Sequence, residues 1–195
     1  MRRLLDLSGN RICIRWPQWR TGREPGRDYG DHRSTQVRFS IKRVGENDCD
    51  WVLQIARGWG ADFIVSRGRK IYPAEIEGYY AVDESGERIG LVTFECVGEQ
   101  CEVVTLDAFC KRQGIGTALL DEMQQEVASR GCRRLWLITT NDNLDAIRFY
   151  QRRGWTIAAV HVNALAESRK IKPSIPKIGN YGISLRDEIE FELLL

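Results

Sequence analysis

Apolar residues recur at every second position in some stretches of this chain and at every third or fourth in others. The switches between the two periods mark its elements. In QVRFSIKRV, Val37, Phe39 and Ile41 alternate with Arg38, Ser40 and Lys42, the pattern of a half-buried strand. Trp51, Val52, Ile55 and Ala56 then lie at helical spacing behind a cap at Asn47 or Asp48, with Gly58 as a stop. Residues 58–76 keep neither period and read as a loop, with at most a helical turn after Pro73. Two strands follow around DESGE, and a further hairpin turns at Gly98-Glu99 into CEVVTLDAF.

The helical period returns with Ile115, Leu119, Leu120, Met123 and Val127 on one face, polar residues on the others and Gly131 at the end. RRLWLITT is a strand, NDNLDAIRFYQRRG a helix opened by Asp142 or Asn143 and closed by Gly154, and WTIAAVHV a strand. ALAESRKIKPSIPKIGNYG reads as a proline-punctuated connection. In the closing EIEFELLL, Ile189, Phe191 and Leu193 alternate with Glu188, Glu190 and Glu192. An antiparallel meander thus feeds a strand–helix–strand crossover. That order predicts one α/β domain with a mixed, mostly antiparallel sheet, in which the strands flanking the crossover run parallel.

Composition narrows the function classes. No apolar run nears the ~18 residues of a membrane span. Asp6, Ser8, Gly9 and Asn10 break any leader core behind the basic start, so no membrane role is expected and the default compartment is cytoplasmic. The six cysteines include no Cys-x-x-Cys pair and lie far from both histidines, so neither a metal site nor a disulfide framework is expected.

The net charge of +2 hides an asymmetry: residues 1–34 carry eight arginines against four acids, while 35–195 is slightly acidic. Rich in Gly, Pro and charge, 1–34 reads as a poorly ordered, solvated extension ahead of a domain at 35–195. A nucleic-acid partner would rest on that arginine tail alone, and is not expected.

KRQGIGTALLDEMQQEV sets two glycines one residue apart at the start of a helix, where each costs roughly 1 kcal/mol relative to alanine. A P-loop would need its lysine after the glycines, but Lys111 precedes them and Thr117 follows. A dinucleotide fingerprint would need a small residue where Leu119 stands, within the first strand–helix unit. What remains is a diphosphate held by the bare amides of the first helical turn, with Lys111 and Arg112 adding charge, or a tight turn with no ligand.

The segment Lys111-Arg112-Gln113-Gly114-Ile115-Gly116 resembles the acetyl-CoA loop [QR]-x-x-G-x-[GA] of the GNAT (Gcn5-related N-acetyltransferase) superfamily, with Lys111 departing at its first position. Downstream, Asn143, Ala146, Tyr150, Gly154 and Trp155 match the family's asparagine-led helix, N-x-x-A-x-x-x-Y-x-x-x-G-[FW]. The resemblance covers 36–195. It implies the acyl-CoA N-acyltransferase fold, with its parallel strand pair splayed and flanking helices. It also implies acetyl-CoA as co-substrate, and transfer of its acetyl group to a primary amine by direct attack in a ternary complex.

On that resemblance, the backbone of Leu106 and Ala108 would pair with the pantetheine arm. Lys111 through Thr117 (Lys111, Arg112, Gln113, Gly114, Ile115, Gly116 and Thr117) would hold the diphosphate, and Asn143 would touch the cofactor, cap its helix, or both. Tyr150 matches the family's proton donor to the coenzyme sulfur, although spacing alone reads it as a core aromatic beside Ile147 and Phe149.

A hairpin symmetric about Gly98-Glu99 would set Glu95 opposite Glu102 and Cys96 opposite Cys101. Two facing carboxylates repel, which would raise the pair's pKa and suit a general base; two solvated glutamates near a turn is the plainer reading. Arg67, Arg69 and Lys70 would suit an acidic acceptor or the phosphates, or simply face water. The acceptor is a small-molecule or peptide amine, and a homodimer is compatible with the sequence. A coenzyme A-binding regulatory module without catalysis is the alternative.

Overall fold

The computed structural model describes residues 37–195, so the arginine-rich segment 1–34 lies outside the described residues. The alternating stretches form a seven-stranded sheet and the helical stretches pack on it. In chain order the elements are β1 (Phe39–Arg43), α1 (Cys49–Gly58), β2 (Ile64–Ser66), β3 (Arg69–Ile71), β4 (Glu77–Asp83), β5 (Arg88–Val97) and β6 (Gln100–Ala108). Then come α2 (Ile115–Ser129), β7 (Arg134–Thr140), α3 (Leu144–Gln151), β8 (Thr156–His161), α4 (Ala164–Ile171) and β9 (Glu188–Leu194). The strand order is β1-β4-β5-β6-β7-β9-β8, antiparallel everywhere except between β6 and β7. The crossover through α2 makes that one pair parallel.

One face of the sheet carries the main core. Leu119, Met123 and Val127 of α2 pack with Phe94, Cys101, Val103, Leu135, Leu137 and Phe191, all almost fully buried. Each contributes roughly 1.5–3 kcal/mol of apolar burial. Gly90 lets α2 approach, because a Cβ there would lie 2.6 Å from Ile115 Cγ2.

The β5–β6 hairpin turns as its sequence symmetry requires, with Glu95 opposite Glu102 and Cys96 opposite Cys101. Beyond Phe94–Val103 the register slips so that Thr93 faces Thr105, leaving Val104 as an extra residue in β6. Such a bulge bends its strand and interrupts pairing.

Two elements differ from the sequence reading. Within 58–76, read as a loop, β2 and β3 form a separate two-stranded hairpin. Its turn is Arg67-Gly68, both at positive φ (47° and 73°), as a two-residue hairpin turn requires. Three-residue strands are too short to display a period. The supposed connection after β8 contains the helix α4, Ala164–Ile171, which follows an N-cap at Asn163 and stops before Pro173. The helical turn after Pro73 is present at Pro73–Glu75.

The polar positions of the β9 alternation are buried as well: Glu188 and Glu190 are only 2% and 5% exposed. Ser168 of α4 bonds Glu188, and Arg67 of the β2–β3 turn reaches Glu190, so the second face is covered too.

Candidate functional site

The parallel pair is zipped only at its start. Gln100, Cys101 and Glu102 pair with Arg134, Leu135 and Trp136, and there the ladder ends. β7 instead stays paired with β9 along its whole length, Arg134 to Thr140. From the Val104 bulge onward, one edge of β6 has no strand beside it.

Phe109 N–H donates to Ile89 O at 2.9 Å, so it points toward β5. Alternation along the strand then aims the backbone groups of Leu106 and Ala108 into the gap. Unpaired backbone groups in a partly buried position call for a partner. A ligand carrying amides of its own, as a pantetheine arm does, fits that edge.

At the far end of the gap the chain turns into α2 through Gly114, whose φ of 80° and ψ of −1° lie in the left-handed region. No atom lies within 4 Å of where a Cβ would stand on Gly114, so the turn is open on its outer side. The first helical bond across this end runs from Ala118 N to Gly114 O, which leaves the amides of Ile115, Gly116 and Thr117 directed outward. Lys111 and Arg112 are exposed beside them.

The other loop residues also serve the fold. Ile115 is a core side chain and offers only its backbone. Gln113 Oε1 accepts from Val37 N, and Thr117 Oγ1 accepts from Arg153, tying α2 to the end of α3. This cradle of amides, αL glycine and cations has the chemistry of a diphosphate site.

Asn143 caps α3, its Oδ1 accepting from Ala146 N at 3.3 Å. Tyr150, one helical stretch later, packs against Phe149, Trp155 and Phe191 at ring separations of 5.3–6.0 Å. Burial, with the charge of Asp107 behind it, holds its hydroxyl above the ordinary tyrosine range, so the group stays protonated. Asp107 was not singled out in the sequence. Burial raises its carboxyl to about 6, and its charge adds to the upward shift on Tyr150. An aspartate inside an otherwise apolar strand end is the signal that could have marked it.

Glu102 stands at the fork, the last β6 residue paired to β7. It is 3% exposed and accepts from Ser66 Oγ at 2.5 Å and from Arg69 Nη2 at 2.7 Å. Arg69 Nη1 also reaches Glu95, at 3.1 Å. The facing carboxylates are therefore bridged by a guanidinium, which corrects the expectation of a bare repelling pair. Burial raises the Glu102 carboxyl, Ser66 and Arg69 lower it, Glu95 adds a small upward push, and the net shift is upward.

Of the basic cluster at 67–70, Arg69 bonds carboxylates, Arg67 stacks 5.8 Å above Trp136 and Lys70 sits over Phe63. None of the three faces only water.

Two cavities meet at Glu102. One, about 420 Å³, is lined by Arg67, Arg69, Glu95, Gln100 and Trp136 as well. The other, about 380 Å³, reaches into the gap. Val104, Ile138, Thr140 and Asn143 line its strand side, and Ile64, Ser66, Leu165, Lys172 and Glu188 close it from β2 and the α4 region. Both fall in the size range of small-molecule sites. Among the described residues no cluster of His, Cys, Asp and Glu could hold a metal ion, and no helix is long and apolar enough to cross a membrane.

Comparison with known proteins agrees with this geometry. The model of the Acetyltransferase (GNAT) family matches residues 47–155. The chain is 42% identical over 140 residues to YdhI, an uncharacterized protein of Bacillus subtilis, covering 72% of this chain and 88% of the relative. Among solved structures, an IAA acetyltransferase from Bacillus cereus superposes with a TM-score of 0.61 at 20% identity, over 81% of this chain and 100% of that one. An acetyltransferase of Bacillus subtilis in complex with CoA gives 0.58 at 17% identity, over 82% and 99%. At these identities the two structures establish a shared fold.

Proposed function

The chain belongs to the GNAT acetyltransferase family, and we propose that it transfers the acetyl group of acetyl-CoA to a primary amine by direct attack within a ternary complex. The observation that carries this reading is the fork: β6 and β7 part immediately after Glu102, beside a cavity that runs into the gap. In this reading the exposed edge of β6, at Leu106 and Ala108, binds the pantetheine arm. The amides of Ile115, Gly116 and Thr117, with Lys111 and Arg112, take the diphosphate. Asn143 closes the gap at the thioester end while it caps α3.

The amine must be neutral to attack, and alkyl amines titrate near 10. Glu102 is the base: it takes the proton released as nitrogen bonds to the thioester carbonyl carbon, directly or through one water. Its pKa, raised by burial, lies closer to working pH than an ordinary glutamate's, and Arg69 and Ser66 hold it in one orientation. Glu95, bridged through Arg69, positions that guanidinium. As the carbon–sulfur bond breaks, Tyr150 donates its hydroxyl proton to the leaving sulfur. Burial keeps that proton on the phenol until the thiolate forms. The products are the N-acetyl amide and free coenzyme A thiol.

The test is release of thiol from acetyl-CoA by the purified chain against a panel of amino acids, polyamines, aminoglycosides and peptides. Amine-dependent release is expected. Tight acetyl-CoA binding with no release against any amine would overturn the reading in favour of a coenzyme A-binding regulatory module.

A further inference from the structure

Lys172, at the end of α4, is 7% exposed and lines the cavity that reaches the gap. Its ammonium carries three donors, and one is used: Nζ donates to Phe63 O at 3.2 Å. No carboxylate of the described residues pairs with it, and the ring of Phe63 lies 5.8 Å from Nζ. A buried cation without an anion is costly, and proteins normally pair one or neutralise it. Burial alone bears on this lysine, pulling its ammonium below the ordinary lysine range.

The same cavity holds Glu102 and Glu188, both almost fully buried, while Ile64, Val65, Val103, Ile138, Leu165 and Ile175 make its walls apolar. It therefore offers carboxylates for an amine, one cation with unused donors, and apolar walls.

We propose that Lys172 binds a carboxylate on the acceptor, so that the acceptor is an aminocarboxylate with an apolar body, such as a free apolar amino acid. The proposal rests on the acetyl-transfer reading above and names the substrate class for it. An incoming carboxylate supplies the counter-ion the fold withholds from Lys172, and the amine of the same molecule meets the carboxylate at the fork. Nothing in this step is covalent. Lys172 selects and orients, and Glu102 and Tyr150 remain the proposed proton carriers.

The experiment compares leucine and phenylalanine with leucinamide, isoamylamine and phenethylamine, using thiol release with the full chain and its Lys172→Met variant. The free amino acids are expected to have the higher kcat/KM in the unmodified protein. Lys172→Met is expected to raise their KM about 10- to 100-fold, the worth of a charge-assisted bond, to leave KM for acetyl-CoA unchanged, and to affect the carboxylate-free amines far less.

Equal or better use of leucinamide or the plain amines by the unmodified protein would overturn the proposal while leaving acetyl transfer standing. So would an equal loss on all acceptors in the variant, the mark of a strut between α4 and Phe63. A rise in KM for acetyl-CoA would overturn it too. Absence of transfer to any amine would overturn both readings together. The comparison within the unmodified protein decides the question even if the variant folds poorly.

Discussion

The two halves of the proposed site, one for the coenzyme and one for the acceptor, are built by different means. The cofactor half is made almost wholly of backbone: the free edge of β6 at Leu106 and Ala108, and the first turn of α2 behind Gly114. The acceptor half is made of side chains, with Glu102, Ser66, Arg69, Glu188 and Lys172 brought together from β6, β2, β3, β9 and the end of α4. A backbone site needs a particular chain path, which a few glycines and a cap can encode locally. A side-chain site needs remote residues to meet, and each of those residues is ordinary in its own neighbourhood. In the proposed function, one half is therefore generic to a coenzyme and the other particular to an acceptor.

Substitutions that strike one half and spare the other sharpen this division. The largest effect is expected from Glu102→Gln, which keeps the bond from Ser66 and removes the proposed base. kcat should fall by about 10³-fold while acetyl-CoA binds as before, measured by steady-state kinetics beside calorimetry. Because burial raises the Glu102 carboxyl, the unmodified enzyme should gain activity with pH along a limb lying above the ordinary glutamate value of about 4.3, and the variant should lose that limb. A limb unchanged by the substitution would remove Glu102 from the chemistry.

Tyr150→Phe comes next, with an expected loss in kcat of about 10²-fold. It keeps the ring contacts with Trp155 and Phe191, so the melting temperature should hold. An unchanged kcat would mark Tyr150 as a core aromatic only. The smallest effect belongs to the backbone half. Gly114→Ala meets no neighbour but forces a left-handed conformation on an L-residue, at roughly 1–2 kcal/mol. If that strain relaxes the turn, the Kd for acetyl-CoA should rise about tenfold with kcat at saturation unaltered. A drop in kcat with no change in Kd would break the division between the halves.

The same contrast explains what was legible before the fold was known. The Gly114 turn, the cap at Asn143, the amphipathic stripe of α2 and the facing of Glu95 with Glu102 all follow from spacing within a few residues or across one tight hairpin. The β2–β3 hairpin and α4 did not show themselves. Three residues are too few for an alternation, and prolines at 173 and 176 obscured the helix before them. With those two covers unseen, nothing marked Glu188 and Glu190 as buried, Arg69 looked like a loop cation, and Lys172 drew no notice.

What the sequence determined by itself is the chain path: where strands and helices alternate, where one parallel pair must arise, and where bare amides end a turn. Local periodicity and φ/ψ preference act over a few residues and need no distant partner to be read. Only the tertiary structure decided which charges lose water and beside whom. Burial and Coulomb attraction depend on distance in space, and the covers that bring Ser66, Arg69 and Lys172 to the fork come from both ends of the domain.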